Sequence, residues 1–175
     1  MTHKAASNPP LPSDQPQIEA EALRKILRHW ASGVTIVTTG NASQIHGMTA
    51  SSFISVSLDP PLVLVSLERE SRTHALLEET QVYSVCILSD DQADLAKRFS
   101  RHEFEGEERF RGLAYHIGPS GGPILDHCLA AFDCALAAMV PAGTHSLMIG
   151  RVLEAKILGS GKPLVYYNRE FHQVG

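Results

Sequence analysis

The sequence predicts a mainly β domain with flanking helices, and three observations carry that expectation. Apolar, often β-branched runs recur at 34–39, 62–67, 82–88, 129–139, 146–157 and 164–168, at lengths that suit strands. Turn signals separate them at Gly40-Asn41, Asp59-Pro60-Pro61, Pro141-Ala142-Gly143 and Gly159-Ser160-Gly161. Helical periodicity is confined to a few short stretches, which favours a closed or partly closed antiparallel barrel over a doubly wound parallel sheet.

Taken in order, residues 1–17 are rich in Pro, Ser and Asn and read as a disordered tail, leaving a single domain over 18–175. Leu23, Ile26, Leu27, Trp30 and Ala31 then recur at helical spacing, predicting an amphipathic helix over 18–32 capped at Gly33. The run 34–39 ends at Gly40-Asn41, and a second strand leads through His46, Gly47, Met48 and Thr49 toward Phe53, so the pair reads as a β-hairpin. Pro60 and Pro61 remove two backbone donors and make 58–61 a bend, after which 62–67 reads as a buried strand. The loop 68–71 opens a short helix. Beyond the strand 82–88, Ser89 and Gln92 have the spacing of a capping box, and Leu95, Ala96 and Phe99 share the face of a helix that stops near Ser100. The charged stretch 101–111 reads as solvated and 118–123 as a glycine-rich loop.

Composition narrows the function. A formal net charge of -4 argues against broad nucleic-acid binding, which needs basic clusters to neutralise phosphates. No apolar run approaches the roughly 18 residues of a membrane span, and the N-terminus lacks a signal-peptide core, so a cytoplasmic protein is expected. Cys86, Cys128 and Cys134 form no C-x-x-C pair and read as buried free thiols. The nine histidines include no metal-ligand spacing, and no metal site is expected. Gly159-Ser160-Gly161-Lys162 is followed by Pro163 where a phosphate loop needs Ser or Thr, and reads as a hairpin turn. The chain has neither G-x-G-x-x-G nor G-x-S-x-G, so a Rossmann cofactor site and a nucleophile elbow have no anchor.

Two segments remain as candidates. In Gly47-Met48-Thr49-Ala50-Ser51-Ser52-Phe53, small and hydroxyl-bearing residues would let a flat, polar-edged ligand such as a flavin ring approach the backbone; a Ser/Thr-rich edge strand fits the same pattern. Ser66 stands at a strand end, and Ser71-Arg72-Thr73 at a helix start, where free N–H groups and a guanidinium suit a phosphate. Ordinary N-capping by Ser71 is equally compatible.

These segments together resemble the flavin reductase-like family, the short reductases that supply reduced flavin to two-component monooxygenases. The resemblance runs through Trp30-Ala31-Ser32-Gly33-Val34-Thr35-Ile36-Val37-Thr38-Thr39, the segment 47–53, and Ser55-Val56-Ser57-Leu58-Asp59-Pro60-Pro61-Leu62-Val63-Leu64. It continues at Leu95-Ala96-Lys97-Arg98-Phe99-Ser100, Arg109-Phe110-Arg111-Gly112, Gly122-Pro123-Ile124-Leu125, Ile149-Gly150-Arg151-Val152 and Pro163-Leu164-Val165-Tyr166-Tyr167. It implies an FMN-binding split β-barrel, a homodimer with flavin near the subunit interface, FMN or FAD with NADH or NADPH, and a partner monooxygenase.

By the same resemblance Gly47 and Met48 border the flavin segment, and Thr49, Ala50, Ser51 and Ser52 would line the isoalloxazine. Ser66, Leu67, Ser71, Arg72 and Thr73 would meet the ribityl phosphate, while Phe99 and Ser100 would close the pocket. The family's Gly-Asp-His becomes Gly143-Thr144-His145 here, placing His145 on the nicotinamide side without the acid that would orient it. Arg169 and Phe171 would help cover the nicotinamide, with core or surface roles equally open. The implied activity is hydride transfer from nicotinamide to flavin, chemistry that the cofactors carry. An FMN-binding electron carrier reduced by another protein would share every flavin contact, and a haem-binding barrel ligated by His46, His74 or His145 is a further alternative.

Overall fold

The computed structural model describes residues 17–101, 103, 104 and 106–175, so the expected tail, apart from Gln17, lies outside the described residues. Helix α1 (Ala20–Leu27) and strand β1 (Ser32–Gly33) come first. The expected hairpin follows as β2 (Thr35–Gly40) and β3 (Ile45–Ala50), paired antiparallel with Thr35 opposite Ala50. β4 (Ile54–Leu58) bends at Asp59-Pro60 into β5 (Pro61–Glu68), and α2 (Arg72–Thr80), β6 (Val82–Ile87) and α3 (Ala93–Ser100) succeed it. A 3-10 turn over Gly106–Phe110 leads to a small hairpin of β7 (Tyr115–Ile117) and β8 (Pro123–Leu125). Two long strands, β9 (Ala130–Ala142) and β10 (His145–Ile157), precede β11 (Val165–Tyr167) and β12 (Glu170–His172).

Seven strands form one antiparallel sheet in the order β3-β2-β6-β9-β10-β5-β4. Its two end strands, β3 and β4, are joined only by Ser51, Ser52 and Phe53. Six strand spacings in a flat sheet would separate them by roughly 29 Å. Three linking residues reach about 14 Å at full extension. The sheet therefore curls until its ends approach each other, and Ser52 fastens the seam to β5: its Oγ donates to Ser66 O at 2.9 Å and accepts from Ser66 N at 3.1 Å.

Side chains alternate along each central strand, so the sheet is buried on both faces. Ile36 and Cys86 face a cluster with Phe99, Phe110, Ile124 and Leu164; Val37 and Val85 face a second one with Val65, Leu77, Tyr83 and Met148. That is why β2 is buried at every position instead of alternating with polar residues. Tyr83 hands its hydroxyl hydrogen to Met148 O at 3.1 Å, and the ring leaves no room for a side chain at residue 150: a Cβ on Gly150 would lie 2.4 Å from Tyr83 Oη. The buried Asp133 carboxylate is met by Ser120 N at 2.7 Å and by the hydroxyls of Ser120 and Ser84, which anchors the 118–122 loop. All three cysteines are buried free thiols.

Three expectations need correction. The first helix ends at Leu27, not at residue 32, because none of its residues is buried; short i→i+3 bonds from His29 and Trp30 finish it, and Ser32 and Gly33 pair with Tyr166 and Val165 instead of capping it. The capping box is half made: Ser89 N donates to Gln92 Oε1 at 2.9 Å, but the Ser89 hydroxyl turns to Asp91, so α3 begins without a side-chain cap. The stretch 101–111 is not uniformly solvated, for Arg109 and Phe110 are buried.

Candidate active site

A cleft of about 550 Å³ opens where β3, α2 and α3 meet. Met48 and Thr49 reach it from β3, Ser71, Arg72 and Thr73 from the start of α2, and Phe99 and Ser100 from the end of α3. Three segments separated in sequence thus converge on one hollow. α2 starts here because Ser71 is extended and its hydroxyl caps the helix, accepting from His74 N at 3.2 Å while donating to Glu68 O at 2.7 Å. Capping and ligand binding are compatible at this residue, since the first backbone N–H groups of a helix remain directed outward at an anion.

The remaining sequence candidates are placed differently. Gly47 does not open the cleft to a ligand; its missing side chain admits Phe99, whose ring would lie 2.9 Å from a Cβ there. Ala50 and Leu67 point into the core. Ser52 and Ser66 bond to each other at the seam, and Ser51 lines a second cleft against Trp30, Tyr166 and Arg169. His145 is exposed at the start of β10, opposite Glu68, which lines the first cleft. Its Nδ1 lies 3.0 Å from Oγ1 of Thr144, the residue that stands where the resemblance has an acid.

Sequence reasoning missed His46, Glu68, Glu70, Phe104 and Arg109 as lining residues. Arg109 is the organising one. From the 3-10 turn it donates to Gly47 O and Phe99 O through Nη1, each at 2.7 Å, to Phe104 O through Nε at 2.8 Å, and to Arg101 O through Nη2 at 2.6 Å. One guanidinium thereby holds β3, the end of α3 and the following loop in fixed relation beneath the cleft. His46 registers its charge: burial, then the guanidinium groups of Arg109 and Arg72, lower it from its ordinary 6.5 to about 4. The ring is neutral near pH 7, with Nδ1 2.8 Å from Thr73 Oγ1. In the tautomer that carries hydrogen on Nδ1, His46 donates to Thr73 and frees the threonine hydroxyl to donate to an anion.

Cationic side chains and outward helix N–H groups suit the phosphate end of a flavin nucleotide. The comparisons point the same way. The profile of the flavin reductase like domain matches residues 27–175. The NADH-dependent flavin reductase of a Rhodococcus species is 39% identical over 163 residues, covering 91% of this chain and 89% of that protein. The reductase component of 4-nitrophenol 4-monooxygenase/4-nitrocatechol 2-monooxygenase from Rhodococcus opacus is 37% identical, covering 90% and 82%. The structure of the NADH:FAD oxidoreductase SgcE6 of Streptomyces globisporus, in complex with NAD and FAD fragments, superposes with a TM-score of 0.82 at 27% identity, over 92% of this chain and 98% of that one. Matched over 27–175 by the family model and over most of its length by these relatives, the chain belongs to the flavin reductase-like family.

Proposed function

We propose that this flavin reductase is an NADH:flavin oxidoreductase that passes hydride from nicotinamide to FMN or FAD and supplies the reduced flavin to a partner monooxygenase. The observation that carries the reading is the convergence of 48–49, 71–73 and 99–100 on one cleft over a buried guanidinium. A hydride acceptor in the flavin and a donor in the nicotinamide supply the chemistry; the chain has to bind, orient and keep water from the pair. Arg72, Thr73 and the start of α2 hold the phosphate, Thr49 and the backbone of 50–52 line the ring, and Phe99 and Ser100 close the side. Ser66 and Leu67 contribute through their backbone, and Gly47 by keeping Phe99 close. His145 stands on the nicotinamide side.

The curled sheet with its seam at 51–53 is read as a split β-barrel within a single domain over 18–175. β4, an end strand with Ile54, Val56 and Leu58 exposed, is read as the homodimer contact, because a bare apolar sheet edge needs covering. Among the described residues no helix is long and apolar enough to cross a membrane, and three buried thiols suit a reducing cytoplasm. In anaerobic single-turnover mixing, His145→Ala is expected to slow flavin reduction by NADH about tenfold or more while leaving the flavin dissociation constant unchanged, a loss of roughly 1.4 kcal/mol in the transition state only. An unchanged single-turnover rate would remove His145 from the site.

A further inference from the structure

The imidazole of His74 ties the start of α2 to the start of β10. It follows Arg72 and Thr73 in the first turn of the helix, its backbone N–H is capped by Ser71 at 3.2 Å, and its Nε2 lies 2.9 Å from Ser146 Oγ. Both side chains are buried, His74 at 6% exposure and Ser146 at 2%. On the other side of the ring, Nδ1 has the Glu78 carboxylate at 4.0 Å. A hydroxyl, an imidazole and a carboxylate in line are the parts of an activated nucleophile, but no substrate reaches a serine buried this deeply. The arrangement can hold a strand and cannot attack.

What it holds is the strand start that carries His145. Side chains alternate along a strand, so fixing Ser146 inward fixes the exposed His145 outward. The β9–β10 connection is only Gly143-Thr144, with Gly143 in the left-handed region at φ 62°. Three ties follow it. Arg69 N donates to Thr144 O at 3.0 Å, Ser146 pairs with Leu67 of β5, and His74 meets the Ser146 hydroxyl. The first two refer β10 to β5 and the loop after it, while the third refers it to the helix read as holding the flavin phosphate. Burial, opposed by Glu78 and assisted by Arg69, keeps His74 below its ordinary 6.5, so the ring is neutral near pH 7. Glu78 beside Nδ1 favours the hydrogen there, which leaves Nε2 to accept from the Ser146 hydroxyl.

We propose that His74 is a positioning residue for hydride transfer: through Ser146 it sets the start of β10 and so directs the His145 imidazole, in fixed relation to the phosphate end of the cleft. The proposal rests on the reading of His145 as the nicotinamide-side residue.

A double-mutant cycle in anaerobic single-turnover mixing of NADH with FMN-loaded protein tests it. His74→Leu is expected to slow flavin reduction at saturating NADH about tenfold while the FMN dissociation constant stays within about twofold, because misdirecting one group costs rate and not binding. His74→Gln can place an amide where Nε2 stood and should recover most of the rate. Ser146→Ala breaks the same bond from the other side and should match His74→Leu; should His74→Leu not fold, the cycle runs on Ser146→Ala with the same outcomes. In a His145→Ala background the second substitution should cost nothing more, since its effect passes through the missing ring. In flavin-free protein, the ring C–H resonance of His145, identified by its absence from His145→Ala, should shift in His74→Leu and return in His74→Gln. Losses that add to that of His145→Ala would overturn the proposal, as would an unshifted resonance or a loss of FMN affinity in place of rate. If His145→Ala itself leaves the single-turnover rate unchanged, the nicotinamide-side reading falls and takes this proposal with it. If His145→Ala slows transfer and neither His74→Leu nor Ser146→Ala does, this proposal falls alone.

Discussion

His46 shows how far one residue's environment departs from its sequence context. Its imidazole sits between the hydroxyl of Thr73 and the charges of Arg109 and Arg72, and its folded value of about 4 lies below the 6.5 of an unfolded histidine. The unfolded chain therefore binds the extra proton first as pH falls. The stability associated with neutral His46 is complete above pH 6.5 and is lost between 6.5 and about 4, on the order of 2 kcal/mol from this group. Burial lowers His74 in the same direction, so its contribution also begins to be lost as pH falls through 6.5. Thermal melts at pH 7 and pH 5 should show a drop that shrinks in His46→Gln, and an equal drop in the variant would contradict the assignment. The Ser71-Arg72-Thr73 group was legible in the sequence because helix starts have a chemical signature. Arg109 was not, because its role is to satisfy carbonyls on three other segments, and a charged stretch at 101–111 gives no sign of which guanidinium turns inward.

Among the elements, the central strands were readable since both of their faces are buried and their apolar runs are continuous. β7, β8 and β12, three residues each, are too short to display a period of two. The first helix was over-extended because its apolar spacing continues to Ala31 while none of its residues is buried. β10 illustrates an element fixed by one contact: a register shift between Ile149 and Gly150 lies beside the point where Tyr83 presses on the strand. Gly150→Ala must displace a buried, hydrogen-bonded ring and is expected to cost about 2 kcal/mol, lowering Tm by roughly 5 °C. Gly33→Ala, with nothing within 4 Å of its Cβ, serves as the control and should change stability by less than about 0.5 kcal/mol. Equal melting shifts in the two variants would deny the close approach at residue 150.

The whole molecule follows from a topological constraint: the end strands of a seven-stranded sheet are neighbours in sequence, so the sheet has to curl and leave a seam. The sequence pointed to a closed or partly closed antiparallel arrangement from turn spacing alone, but the strand order that forces the curl is a long-range property. The same curl leaves β4 as an end strand with Leu58 90% exposed, and the homodimer reading assigns a second copy to it. Ile54→Asp is expected to convert a dimer into a monomer in sedimentation equilibrium, with flavin affinity falling if the interface borders the ring; a wild-type chain that sediments as a monomer would contradict that reading. The central claim is the transfer of hydride from NADH to flavin, and it is tested most directly by anaerobic oxidation of NADH with and without added FMN or FAD. The account predicts rapid, saturable oxidation that requires flavin and reduces one flavin per NADH. Tight flavin binding with no oxidation of NADH would contradict it and leave an electron carrier reduced by another protein.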